Sequence, residues 1–195
     1  MSLPEPDITS LLSSLSRGDG EGLGKVMTLV YRELHSIAAR HMRRERPDHT
    51  LRTTALVNEA CMRLLVADVS FESRAHLFAF ASTAMRRILV DHARASTRKK
   101  RGGKMEKITP QSAENQEALD VWTDPAEILD LNQALDRLAL QDERKAKLLE
   151  MHYFGGMNCD EVAAVLTISV ATVNRDLKLA RAWLRRELNV HEARA

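Results

Sequence analysis

Ser169, Ala171, Thr172, Asn174, Arg175 and Lys178 fall on one side of a helix if the segment that holds them is helical. Together they offer hydroxyl, amide, guanidinium and ammonium donors around one small apolar group. That set suits base edges and phosphates in a DNA major groove. Arg175 is the best candidate for a base-edge contact, because a guanidinium can pair twice with guanine. Lys178, a point charge on a flexible stem, is better suited to phosphate. Arg181 and Arg185 continue the row.

The segment that must present these groups, Asp160–Leu177, has the spacing of a helix-turn-helix. Val162, Leu166, Ile168, Val173 and Leu177 supply apolar side chains to lock two short helices across a tight turn. Ala163 is small where the helices come closest. Ser169 is placed to cap the second helix, near an N-terminus that attracts phosphate. Val173, Leu177, Ala180, Leu184 and Leu188 form the inward stripe, leaving the polar row outside.

Catalytic and metal chemistry find no comparable pattern. The seven histidines are scattered, and Asp91-His92 is the acid–histidine dipeptide that falls within a predicted helix. Adjacent side chains on a helix diverge by about 100°, so that pair makes no two-ligand site by itself. Glu33, Glu59 and Asp91 could meet in a bundle, but nothing in their spacing requires it. Cys61 and Cys159 lack any CxxC or Cys/His spacing and read as free thiols in a reducing compartment. No cofactor is implied and no enzyme is expected.

The chain has 195 residues, 44% hydrophobic and 29% charged, which is enough apolar material for a core. Only 4% of residues are aromatic, which suits helices packed through Leu, Ala, Val and Met. No apolar run reaches the roughly 18 residues that a membrane span needs, and the first residues carry Glu5 and Asp7 rather than a basic leader. A cytoplasmic protein is expected.

The expected fold is all-α. Helices are predicted over Ile8–Ser16, from about Val26 to Arg44, over Thr53–Leu65 and over Ala75–Arg98, with a loop at Val66–Ser73. Phe78, Ala81, Met85, Ile88 and Leu89 should point inward. Residues 108–136 hold no Lys or Arg before Asp136, while Glu114, Glu117, Asp120, Asp124, Glu127 and Asp130 accumulate. Residues 102–123 therefore read as a flexible acidic linker between an N-terminal module, 1–101, and a C-terminal one, 124–190. In the latter, Pro125 opens a helix after Asp124, a second spans about Asp142–Phe154 before Gly155-Gly156, and Cys159–Leu166 and Ser169–Leu188 follow.

Leu138–Arg144, Tyr153–Gly156 and Thr172-Val173 resemble the −35-reading domain of bacterial RNA polymerase sigma factors. Thr54–Leu64 resembles the core-binding helix of the extracytoplasmic-function (ECF) group. Phe71–Phe78 and the basic helix after it resemble the part that opens and reads the −10 element. The resemblance runs through nearly the whole chain, in order, and lacks the same middle domain as that group.

It implies a non-enzymatic, alternative sigma factor that binds core polymerase through its β′ and β subunits and directs promoter recognition, strand opening and initiation. Leu56, Val57, Glu59, Arg63 and Leu64 would then face β′. Leu56 and Leu64 also read as core, and Glu59 and Arg63 as a surface pair. Ala67–Arg74 would form the pocket for an extruded −10 base, with Phe71, Glu72 and Ser73 as candidates; Phe71 reads equally as a core plug. Arg86, Arg87, Asp91, Arg94 and Arg98 would follow the strand, and Ser169, Ala171, Thr172, Asn174, Arg175, Lys178 and Arg181 the −35 element.

Two departures from the family pattern stand out. Thr167 occupies a turn position that usually holds Gly. The stretch before the core-binding helix, Arg52-Thr53-Thr54-Ala55, lacks the usual acidic run. Thr53 and Thr54 read either as helix caps or as phosphorylation sites that restore the missing negative charge. Control by an anti-sigma factor, by a Ser/Thr kinase or by neither stays open, and no membrane is involved. The competing reading is a stand-alone helix-turn-helix regulator that works without polymerase.

Overall fold

The structure, a computed structural model, describes residues 8–15, 22–41, 50–67, 69–100 and 125–192. Among these residues there are eight helices and no strand: α1 (Ile8–Leu15), α2 (Gly22–His41), α3 (Thr50–Leu65), α4 (Arg74–Lys100), α5 (Pro125–Gln141), α6 (Glu143–Gly155), α7 (Cys159–Leu166) and α8 (Val170–Glu192). The all-α expectation holds. The acidic stretch 102–123 and Asp124 lie outside the described residues.

Local chemistry sets the element ends. Ser73 starts α4: its hydroxyl accepts from the His76 N–H at 3.2 Å and its carbonyl from Leu77. Pro125 is the first residue of α5, where a missing N–H costs nothing. Asp142 caps α6 by accepting from the Lys145 N–H, and Gly156 closes it at φ 61° in the left-handed region that glycine tolerates. The Lys145 ammonium and backbone N–H hold the Asp142 carboxyl below the usual carboxylate range.

Two helix starts differ from the sequence expectation: α2 begins at Gly22 rather than about Val26, and α3 also begins early. The third helix starts at Thr50 rather than Thr53, so Thr53 and Thr54 lie inside its first turns and neither is the cap.

The longest helix, α4, organises the molecule. It packs against α1 and α3 on one side and against α5, α6 and α7 on the other. Phe78, Ala81, Met85, Ile88 and Leu89 are buried, as their spacing predicts. One apolar cluster runs through both halves, from Val30, Leu34 and Val57 to Leu131, Leu149 and Phe154. Gly155 marks a close approach of α6 to α4, since a Cβ there would lie 3.0 Å from the Ser82 Cβ and 3.2 Å from the Phe78 carbonyl oxygen.

Candidate nucleic-acid and polymerase interfaces

The helix-turn-helix is built as its sequence requires. Asn158 and Glu161 form a capping box at the start of α7. Thr167 ends the helix at φ 55°, ψ 43°, the only non-glycine residue with positive φ among the described residues. A β-branched residue is strained there. The Ile168 N–H bonds the Ala163 carbonyl at 3.1 Å, and the Ser169 hydroxyl accepts from the Thr172 N–H at 3.1 Å. Ser169 is thus the cap of α8. Val162, Ala163, Val173 and Leu177 are buried, and Leu166 and Ile168 pack at the edge of the core.

The polar row is sorted as the spacing predicts, with one exception. Ser169, Ala171, Asn174, Arg175 and Lys178 are exposed, and Thr172 is half-buried. The Asn174 side-chain oxygen accepts from the Cys159 thiol at 3.3 Å, which ties the row to α7. Arg181 is the exception: it is half-buried, with a nitrogen 2.7 Å from His152 Nε2, so it braces α8 against α6. Asp176 is buried on the same helix and accepts from Arg144 at 2.7 Å. These two pairs fix the roll of α8 and so aim its outer row.

Phe71, Glu72 and Ser73 lie between α3 and α4, within the predicted loop. Phe71 is half-buried, edge-on to His76 and Phe80 with ring centroids 5.8 and 5.6 Å away. Glu72 is exposed. Arg87, Asp91, Arg94 and Arg98 are exposed along α4, with Arg94 3.7 Å from Asp91. Arg86 is different: its side chain is 15% exposed and bonded to α5 and α6.

On α3, Leu56, Val57 and Leu64 are core residues, while Glu59 and Arg63 form an exposed pair at 2.5 Å. Of the five residues assigned to β′, these two reach the surface. Met62, Leu65 and Val66, which the sequence reading passed over, are exposed apolar side chains on or beside the same helix. Thr53 is 5% exposed and Thr54 half-buried. Burial pushes the Cys61 thiol up, away from reactive thiolate character.

Sequence reasoning missed a further set of polar residues. Arg74 bonds Glu33 of α2 and Glu161 of α7, with its guanidinium 4.4 Å above the Phe78 ring. His41 Nε2 lies 2.9 Å from the Tyr153 carbonyl, and its ring stacks on Phe154. The hydrogen-bonding partners in these sets are 41–112 residues apart, so no local spacing announces them.

No group of His, Cys, Asp and Glu among the described residues gathers to hold a metal ion, and none of the described helices is long and apolar enough to cross a membrane. The model of the ECF sigma factor family matches residues 5–190. No curated protein and no solved structure matches. A match over that span, with described residues that form helices and no strand, places the chain plainly: it belongs to the ECF sigma factor family.

Proposed function

We propose that this ECF sigma factor binds core RNA polymerase through α3, engages the −10 element through the 66–73 loop and α4, and reads the −35 element through α8. The observation that carries the reading is the exposed row Ser169, Ala171, Asn174, Arg175 and Lys178, aimed by the part-buried Asp176–Arg144 and Arg181–His152 contacts. It has the exposure and chemistry of a major-groove surface. The segments before and after residues 102–123 act as modules that separate when both elements are engaged. The site of action is the cytoplasm, at the nucleoid.

Polymerase dependence is the test. Promoter fragments should shift tightly with core enzyme plus this protein, and weakly with the protein alone. Equal, tight binding to duplex DNA without core would instead favour a stand-alone regulator.

Regulation by an anti-sigma factor or a kinase belongs to the same reading. Thr54 is the better of the two threonine candidates, since Thr53 is buried. A Thr54→Glu variant should bind core more tightly than the unmodified protein, measured by competition for core against a second sigma factor. Equal binding removes the phosphorylation switch.

A further inference from the structure

Arg86 stands at the centre of the contact between α4 and the C-terminal helices. Its Nη1 donates to Glu150 Oε2 at 2.6 Å, its Nη2 to Asp136 Oδ1 at 2.6 Å and to the Asn132 carbonyl at 3.0 Å, and its Nε to Asn132 Oδ1 at 3.0 Å. The other Glu150 oxygen accepts from the Thr83 hydroxyl at 2.6 Å. The Asn132 amide donates to the second Asp136 oxygen at 3.1 Å, which orients the pair one helical turn apart on α5. Four guanidinium bonds to three partners fix Arg86 in one geometry and leave it little capacity for a phosphate.

The surroundings point the same way. A cleft of about 610 Å³ opens beside this cluster. Arg63, Arg87, Asp91 and Arg94 line it from α3 and α4, and Asn132, Asp136 and Glu150 from α5 and α6. The C-terminal helices thus place two carboxylates and a carboxamide against the basic face of α4, as an acidic nucleic-acid strand would place phosphates there. Close by, Gly155 of α6 lies against Ser82 and the Phe78 carbonyl of α4, with no room for a side chain between the helices.

We propose that Asn132, Asp136 and Glu150 form an intramolecular latch on Arg86. The latch holds the free protein closed, and α5–α6 and single-stranded nucleic acid compete for one face of α4. The inference rests on the reading of α4 as the −10 helix. It assigns α5 and α6 a second role, that of covering α4 until polymerase or DNA displaces them.

The test uses the full-length chain with Asp136→Asn and Glu150→Gln together, isosteric changes that leave every α4 residue intact. Small-angle scattering reads opening, and fluorescence anisotropy with a labelled single-stranded oligonucleotide pool reads access to α4, both without core enzyme. The variant should show a larger radius of gyration. It should also bind the pool at least about fivefold more tightly than wild type, the lower end of the range for coupled equilibria. Where the pair fails to fold, Asp136→Asn alone, at a carboxylate 64% exposed, should give the same changes in smaller measure.

An unchanged radius of gyration overturns the latch. An opened variant with unchanged affinity overturns the competition for α4. Neither result touches the −10 assignment, which is read separately as loss of run-off transcription by wild-type-latch holoenzyme carrying Arg94→Ala.

Discussion

Arg175 and Lys178 lie one turn apart on the exposed row of α8, yet their chemistry predicts different failures. A guanidinium that pairs with a base edge carries sequence information, so Arg175→Ala should cost about 1–3 kcal/mol at one −35 position and relax preference there. An ammonium that meets phosphate carries none. Lys178→Ala should weaken all sequences alike and reduce the dependence of log affinity on log salt by about 1. Binding of −35 variants by holoenzyme at several salt concentrations distinguishes them. Arg181 shows why exposure has to be checked residue by residue. It sits on the predicted row by spacing, but it is half-buried and one of its guanidinium nitrogens meets His152 Nε2 at 2.7 Å. The spacing of a helix sets which side a residue takes, not whether a neighbour 29 positions earlier claims its side chain.

At the scale of elements, the α7–α8 unit carries a backbone cost in its turn. Thr167 sits at φ 55°, where a β-branched side chain is disfavoured. Thr167→Gly should stabilise the fold by about 1 kcal/mol in urea unfolding, the relief of strain exceeding the entropy gained by the unfolded chain. The Asp142 cap gives a pH-dependent counterpart. Its carboxyl is held below the usual range by Lys145. The stabilisation is therefore complete above the ordinary Asp pKa of about 4 and is lost as pH falls through the lower, folded value. Asp142→Ala should cost about 1 kcal/mol near neutral pH, and the difference from wild type should shrink in acid. Denaturant unfolding at both pH values measures it.

These elements were legible because their causes are local. The bounds of α7 follow from Asn158, Glu161 and the turn at Thr167, all within ten residues of one another. The loop at 66–73 follows from lost periodicity and the Ser73 cap. The start of α3 was misplaced because Thr53 and Thr54 are good caps in isolation, whereas the helix continues back to Thr50. In that setting Thr53 becomes a core residue rather than a surface hydroxyl.

At the scale of the molecule, the relation between the halves could not be read from sequence. Arg86 meets Asn132, Asp136 and Glu150 across 46, 50 and 64 positions, and no periodic pattern spans such distances. Gly155-Gly156 is legible as a helix stop, but only the fold shows why the first glycine is small: α6 meets α4 there. Gly155→Ala should therefore act on the joint between halves. The added methyl meets the Ser82 Cβ and the Phe78 carbonyl, and overpacking of this kind costs about 1–3 kcal/mol. A lower thermal midpoint for the whole chain is the expected result, with the α8 surface left intact.

The central claim is that this chain turns core polymerase into a promoter-specific enzyme. Run-off transcription with purified core enzyme on a pool of promoter fragments tests it most directly, because selected transcripts report function and both promoter elements at once. The account predicts transcripts that depend on the protein, start from a subset of the pool and share a −35 and a −10 sequence at fixed spacing, with Arg175→Ala altering the −35 preference alone. Transcription unchanged by the protein, under conditions where it binds duplex DNA tightly by itself, would contradict the account.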